Sequence, residues 1–540
     1  MGSVKVERID HLGIVAGVIQ DLGIIEMIDS RITPDEREEI TTGEAIAGMI
    51  INGLGFSNRP MSLTPQFFEG KALDVLIREG ITPDMLNRFK LGRSLDDVYS
   101  YGCNLLFSEI AINVCKKEEI DLRFNSLDTT SFSLTGEYDT DSDEHAVVVT
   151  YGYSKDKRPD LKQVILELMV SQDGGVPTMS KSRDGNASDS NVFKQRSEGL
   201  IKEFASSEMP RYIVADSKLY TQANAVNLAH LSFITRIPES LKVVSEVIDQ
   251  SLSMGNWQVY DDKVKYQRVE LCHYGIEQRW IVAYSESAYQ RAGKTLSKAQ
   301  SKEQEKINKA FFHLQAQRFE SEESARKALD KIIQNLSYHK LVDIKLTQHV
   351  KYASCGKPKS DSSIKSIAWQ ISGTVVPDEA KLSAKQHHEA CFVVGTSIPE
   401  AELSDVEVIK GYKGQGAVER GFSFLKSPVF FVSSLFVKKP SRIEGLLMVM
   451  TLALLVYSVA QRRLRNQLSI ERETLPNQIN QPTSRPTLRW IFQCMEGIHR
   501  VFLNIDGQVT CVVDGITDLR VKIIRLFGQR VCQIYQISSA

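Results

Sequence analysis

Three observations predict an α/β protein: a core interrupted by a β-rich and helical insertion, with an all-α N-terminal domain. Residues 1–122 repeat apolar side chains at helical spacing and carry few strand signals. From Phe124 onward, β-branched and apolar runs of strand length alternate with a helical stretch, as in an α/β sheet. The chain has 540 residues, more than the roughly 250–300 one hydrophobic core serves. Its 42% hydrophobic and 25% charged residues are globular values and exclude a disordered, collagen-like or coiled-coil chain.

The elements follow in order. Ile9 to Ile28 reads as a helix, Thr33-Pro34-Asp35-Glu36 as a helix start, and Thr42 to Leu54 as a helix capped by Thr41 or Thr42 ahead of Glu44. Thr82-Pro83-Asp84 opens another helix, and Ser94 to Cys115 forms one more. Strands are expected at Leu122–Leu134, Ala146–Tyr153, Val164–Ser171, Tyr212–Ala215 and Phe233–Ile237, with a helix over Ser188–Ser206. The insertion reads as strands near Trp257–Tyr260, Val269–Tyr274 and Arg279–Tyr284, a charged helix Ser297–Leu336, then strands Ile367–Ile371 and Cys391–Thr396. The expected division is 1–122 (helical), 123–240 (first part of the core), 241–396 (insertion), 397–465 (second part of the core) and 466–540 (C-terminal segment).

The net charge of −1 says nothing about partners, but its distribution does. Residues 1–127 hold 13 basic and 20 acidic side chains; residues 410–540 hold 18 and 8; residues 284–370 hold 16 and 9. Two basic regions in a neutral chain suggest a polyanion site or, equally on charge alone, solvated helix faces. The eight cysteines form no Cys-x-x-Cys pair, which argues against a zinc ribbon and fits buried thiols in a reducing compartment. The apolar run Gly445 to Ala460 has 16 residues, short of the ~20 that span a bilayer. A buried helix, and no membrane, is expected. Core packing is the expectation for Trp257, Trp280 and Trp369, over stacking on a base.

Three carboxylates stand out. In a strand over 122–134, Asp128 shares the more apolar face with Phe124, Phe132 and Leu134. A carboxylate there costs several kcal/mol unless it is paired or bound to a metal. Asp216 ends the apolar run Tyr212–Ala215, and sites in open α/β sheets lie at the carboxyl ends of strands. Glu419 shares an arc of about 60° with Tyr412, Gln415 and Lys426 if all four lie on one helix. Gly411, Gly414 and Gly416 weaken that helix, so it is expected to begin near Gly416 if it breaks. Three converging carboxylates suit two hard divalent cations clamping a phosphoryl transfer.

Asp128 in SLDTTSF, Asp216 in YIVADSKLY and the Tyr412…Gln415…Glu419…Lys426 array resemble the bacterial insertion-sequence DDE transposases with a Tyr…Arg…Glu…Lys signature. So do GYSKDKRPDLKQ (152–163), residues 420–465, NGLGFSNRP (52–60) and LTPQFFEGK (63–71). The resemblance spans essentially the whole chain. It implies a ribonuclease H-like core with Asp128, Asp216 and Glu419 as catalytic, metal-holding residues. It implies Mg²⁺ as cofactor, as two ions, with Mn²⁺ able to substitute. It also implies DNA partners, the terminal inverted repeats and the target, and a homodimer in the synaptic complex. The expected location is the bacterial cytoplasm, on the nucleoid when DNA is bound. The implied reaction is hydrolysis at the element's ends, then attack of the exposed 3′-hydroxyls on target DNA.

Tyr412 and Lys426 match the signature and are expected at the DNA. Gln415 stands where the family has arginine and loses its bidentate charged grip on phosphate. Lys155, Lys157, Arg158 and Arg420 are the other expected DNA contacts. Arg462, Arg463 and Arg465 either clamp DNA or end a helix. The N-terminal domain is expected to read the element's ends through Arg88, Lys90 and Arg93. Two alternatives stay open: a domesticated derivative that binds DNA without cutting, and a stand-alone ribonuclease H-like nuclease.

Overall fold

A nine-stranded mixed sheet organises the computed structural model, which describes residues 3–57, 59–136, 138, 146–188, 192, 195–197, 199, 201, 211–353, 363–427, 437–505 and 508–538. Its strands are β2 (Phe124–Leu134), β3 (Lys162–Ser171), β4 (Pro177–Arg183), β5 (Tyr212–Ala215), β6 (Phe233–Arg236), β7 (Gln258–Asp261), β8 (Val264–His273), β9 (Ile276–Ser285) and β12 (Cys391–Thr396). The spatial order is β4-β3-β2-β5-β6-β12-β9-β8-β7. β2, β5 and β6 run parallel, and every other neighbouring pair is antiparallel. Parallel strands end at one edge, and their continuous apolar runs are covered on both faces.

The insertion expected over 241–396 has two parts. β7, β8, β9 and β12 extend the core sheet, with β12 hydrogen-bonded to β6. The remainder is a small body of its own. A two-stranded sheet of β10 (His339–Tyr352) and β11 (Ile364–Pro377) packs under helices Glu286–Ala316 and Glu322–Gln334 around Phe311, Leu329 and Ile371. The single charged helix expected over Ser297–Leu336 is thus two, the second begun by a capping box at Ser321 and Ser324. Trp280 is fully buried in the sheet core, and Trp369 packs on the small body.

The N-terminal region is helical, with one strand that its polarity concealed. β1 (Ser3–Arg8) pairs with β15 (His499–Ile505) near the other end of the chain. The capping box at Thr41 and Glu44 starts helix Thr42–Leu54 as expected. Thr33–Glu36 starts no helix, and Pro83–Leu86 is a single 3₁₀ turn. Gly23 (φ 71°) and Gly102 (φ 110°) break the helices expected over Ile9–Ile28 and Ser94–Cys115. Ala146–Tyr153 contributes only the bridge from Thr150 to Gln163. Most of the helix expected over Ser188–Ser206 lies outside the described residues.

These parts share one core. Helix Pro440–Glu471 contains the apolar run and is 89% buried over its most apolar stretch of 18 residues. A helix apolar on all sides needs such a surround. It packs on β4 and on helices Thr42–Leu54 and Arg88–Tyr101, so residues 1–122 close no core of their own. Ion pairs cross the same seam: Arg442 to Asp96 (2.6 Å), Arg463 to Glu118 (2.6 Å) and Asp21 (3.0 Å), and Arg500 to Asp74 (2.6 Å). Part of the basic excess at the C-terminal end therefore answers the acidic excess at the N-terminal end.

Candidate active site

β2 and β5 are adjacent and parallel, with Leu127 opposite Ala215. Asp128 and Asp216 are the next residue on each, on strands about 4.8 Å apart. Both are half-buried and line one small cavity with Thr129, Glu167, Lys218 and Leu219. Asp216 follows the last residue of β5, where its side chain caps a 3₁₀ turn by accepting from Lys218 N (2.8 Å). Thr235 Oγ1 donates to the Asp216 carbonyl (2.9 Å) and fixes the same peptide from β6. Asp128 Oδ1 accepts from Thr129 N (2.7 Å) and lies 3.7 Å from Lys155 Nζ.

The third carboxylate arrives on helix Gly416–Leu425, which packs on β2 and β3. The chain breaks at Gly414 and Gln415, as the glycines suggested. Tyr412 therefore lies on the preceding helix, Asp405–Lys413, and the four signature residues do not share one helix. Close approach to the sheet explains the break. A Cβ at Gly411 would stand 2.8 Å from the Phe124 ring, and one at Gly414 would overlap the Gln172 side chain at 2.0 Å. Gln172 Nε2 donates to the Gly411 carbonyl (2.7 Å) and to Ser126 Oγ on β2 (3.1 Å).

Glu419 is exposed. Among the described residues no three His, Cys, Asp or Glu side chains form a metal-holding cluster, so Asp128, Asp216 and Glu419 are not gathered as one set. The Tyr412 hydroxyl feels charges from three of the elements around the site. Burial holds its pKa above the usual value; Arg236 opposes this, and the charges of Asp216 and Glu419 add to it.

Gln415 is buried, at 7% exposure. With its amide oriented to suit its neighbours, Nε2 donates to the Ala215 carbonyl (3.2 Å) and Oε1 accepts from Asp216 N (2.7 Å). It braces the peptide that carries Asp216 and does not present its amide to the open surface.

The loop 152–160 covers the other flank. Lys155 Nζ donates to Thr129 Oγ1 (2.8 Å) and to the Thr129 carbonyl. Lys426 Nζ binds Asp156 Oδ1 (2.6 Å), tying the end of the Glu419 helix to this loop. Lys157 and Arg158 are exposed, with Arg158 paired to Asp160 (2.7 Å). Arg420 is exposed beside Glu419 but faces a different cleft. Arg88 and Arg93 are exposed, whereas Lys90 is buried and bound to Glu38 (2.8 Å). The expected basic face on that helix therefore loses its middle member.

Sequence reasoning missed three charged neighbours of the site. Glu167, on β3, is 0% exposed and held by Arg183 (2.8 Å) and Arg196 (2.7 Å). It reads as one polar residue inside an apolar strand, a usable signal. Lys218 lines the cavity two residues after Asp216. Arg236 ends β6 beside Tyr412.

The mixed sheet with parallel central strands and helices on its faces is a ribonuclease H-like core. The chain belongs to the transposase DDE domain family, whose model matches residues 121–456, and it is a DNA transposase. Residues 4–112 match a domain of unknown function, DUF4277. No curated protein matches the sequence. Among solved structures the chain is similar to a cryo-EM structure of the piggyBac transposase synaptic complex with hairpin DNA. The identity is 9% and the TM-score 0.38, over 91% of this chain and 82% of that one; a likeness so slight carries no argument.

Proposed function

We propose that this transposase cuts DNA at the terminal inverted repeats of an insertion sequence and joins the exposed 3′-hydroxyls to target DNA. The observation that carries this reading is the juxtaposition of Asp128, within β2, and Asp216, just past the end of the adjacent parallel strand β5, at one small cavity. Their donors fit Mg²⁺ or Mn²⁺: carboxylate oxygens, half exposed, with a lysine ammonium 3.7 Å from Asp128. Asp128 and Asp216 would hold the ions, two in number, with Glu419 completing the set. Bound there, the ions would neutralise charge on the attacking and leaving oxygens of an in-line displacement.

The chain's own residues supply orientation. Gln415 and Thr235 hold the Asp216 peptide from two sides, and Gln172 holds the helix joint against β2. Lys155 and Lys426 are paired with Asp128 and Asp156, and each can turn to a DNA phosphate that displaces its carboxylate. Tyr412, Lys157, Arg158 and Arg420 would supply further DNA contacts, Arg420 one residue beyond Glu419. The N-terminal region would bind the element's ends, and synapsis of two ends calls for a homodimer on the nucleoid in the cytoplasm.

Cleavage of labelled DNA carrying the gene's own flanks tests the reading. Cuts at the end that need Mg²⁺ and vanish with EDTA or with Glu419→Gln are the expected result. Binding without cutting in any metal would replace the reading with a DNA-binding derivative.

A further inference from the structure

Helix Gly416–Leu425 lines a cleft that shares no residue with the aspartate cavity. The cleft, of about 890 Å³, lies between this helix, the C-terminal half of Pro440–Glu471 and residues 484–489. Arg420, Arg465, Arg485 and Arg489 reach into it from three separate segments. Among the described residues none of the four is in an ion pair. The carboxylate lining the cleft, Asp173, is already bound to Arg462 (2.7 Å). Burial, and after it the charge of Arg485, pulls the Arg465 pKa below its usual value. Like charges gathered this way disfavour the closed arrangement unless an anion enters.

The floor is aromatic. The rings of Phe424 and Tyr457 are 4.6 Å apart, Phe56 meets Phe424 edge-on at 6.1 Å, and the Arg489 guanidinium lies 5.4 Å over Phe56. Cations around aromatic faces, with Ser423, Ser458 and Thr487 between them, are the chemistry of a site that tracks a nucleic-acid strand. Glu419 and Arg420 are successive residues, about 100° apart on a helix about 10–12 Å wide. The cleft therefore opens within one helix width of the third carboxylate.

We propose that this cleft binds the phosphodiester backbone of DNA as a second subsite, in addition to the carboxylate site. The proposal rests on the transposase reading for the identity of the strand, but its test does not require cleavage. Arg485 and Arg489 are exposed, so Arg485→Ser/Arg489→Ser removes two cations without disturbing a core. Binding of wild type and variant to a labelled duplex and to a single strand is measured in EDTA across a salt series. Two lost phosphate contacts flatten the slope of log K against log salt by about 1.8 on duplex or about 1.4 on a single strand. Whichever substrate shows the change identifies the bound form. Unchanged slopes and affinities on both, or no binding by wild type, would overturn the proposal. Polyglutamate competing as well as unlabelled DNA would reassign the cleft to an acidic protein. Metal-dependent cleavage by wild type is scored separately, so a silent cleft and a failed transposase reading give different results.

Discussion

Arg463 and Arg465 come from the same turn of one helix and do opposite things. Arg463 points at the N-terminal region, between Glu118 and Asp21. Burial works against its charge, and the bonds to Glu118 and then Asp21 more than offset this, leaving its pKa above the usual value. Arg465 points the other way, donates to the Pro486 carbonyl (3.1 Å), and shares a cleft with Arg420, Arg485 and Arg489, besides the paired Arg462. The first group of cations joins the molecule's two ends. The second is left for something outside it. A segment's net charge cannot tell them apart, because it counts charges without their partners.

Four expected outcomes break or sharpen this contrast. The largest concerns neither group of arginines. Asp128→Asn or Asp216→Asn should lower cleavage by at least ~10³-fold, by analogy with loss of a transition-state contact, while DNA binding in EDTA persists. Loss of binding with cleavage would mean that the carboxylate site, not the cleft, dominates affinity. Next comes Glu167→Gln, which leaves Arg183 and Arg196 facing a neutral amide at a fully buried position. It should cost about 3–5 kcal/mol in denaturant unfolding.

Arg463→Met should cost about 3 kcal/mol, since Glu118 is then left mostly buried and unpaired. The salt dependence of its DNA binding should match wild type, whereas Arg485→Ser/Arg489→Ser should change that dependence and shift stability by less than about 0.5 kcal/mol. If the two variants behave alike, the contrast fails. The last concerns Gly414→Ala, whose new methyl meets the Gln172 side chain. A cost of about 1–3 kcal/mol in thermal unfolding is expected, with reduced cleavage because the helix joint shifts.

Much of the site was legible because its signals are local. An apolar run long enough for one strand and closed by an aspartate placed Asp216, and period-2 alternation placed Asp128 in a strand. A run of glycines marked the helix joint. Gln415 was legible only as a departure from a pattern. Its role needs the Ala215–Asp216 peptide, about 200 residues earlier in the chain, and no spacing rule reaches that far. Lys155 and Lys426 read as DNA contacts, and the carboxylate that the fold sets against each was not legible.

The sequence by itself determined the α/β order, the helical start, the buried apolar helix and the strand that ends at Asp216, because periodicity and run length act within one element. Tertiary structure alone decided that β7, β8, β9 and β12 extend the core sheet, since a strand's edge does not declare its neighbour. It also decided that the two ends of the chain meet through β1 and β15. And it decided which arginines are neutralised, because the strength of a charge's interactions depends on what lies within a few ångströms of it, not on its neighbours in the chain.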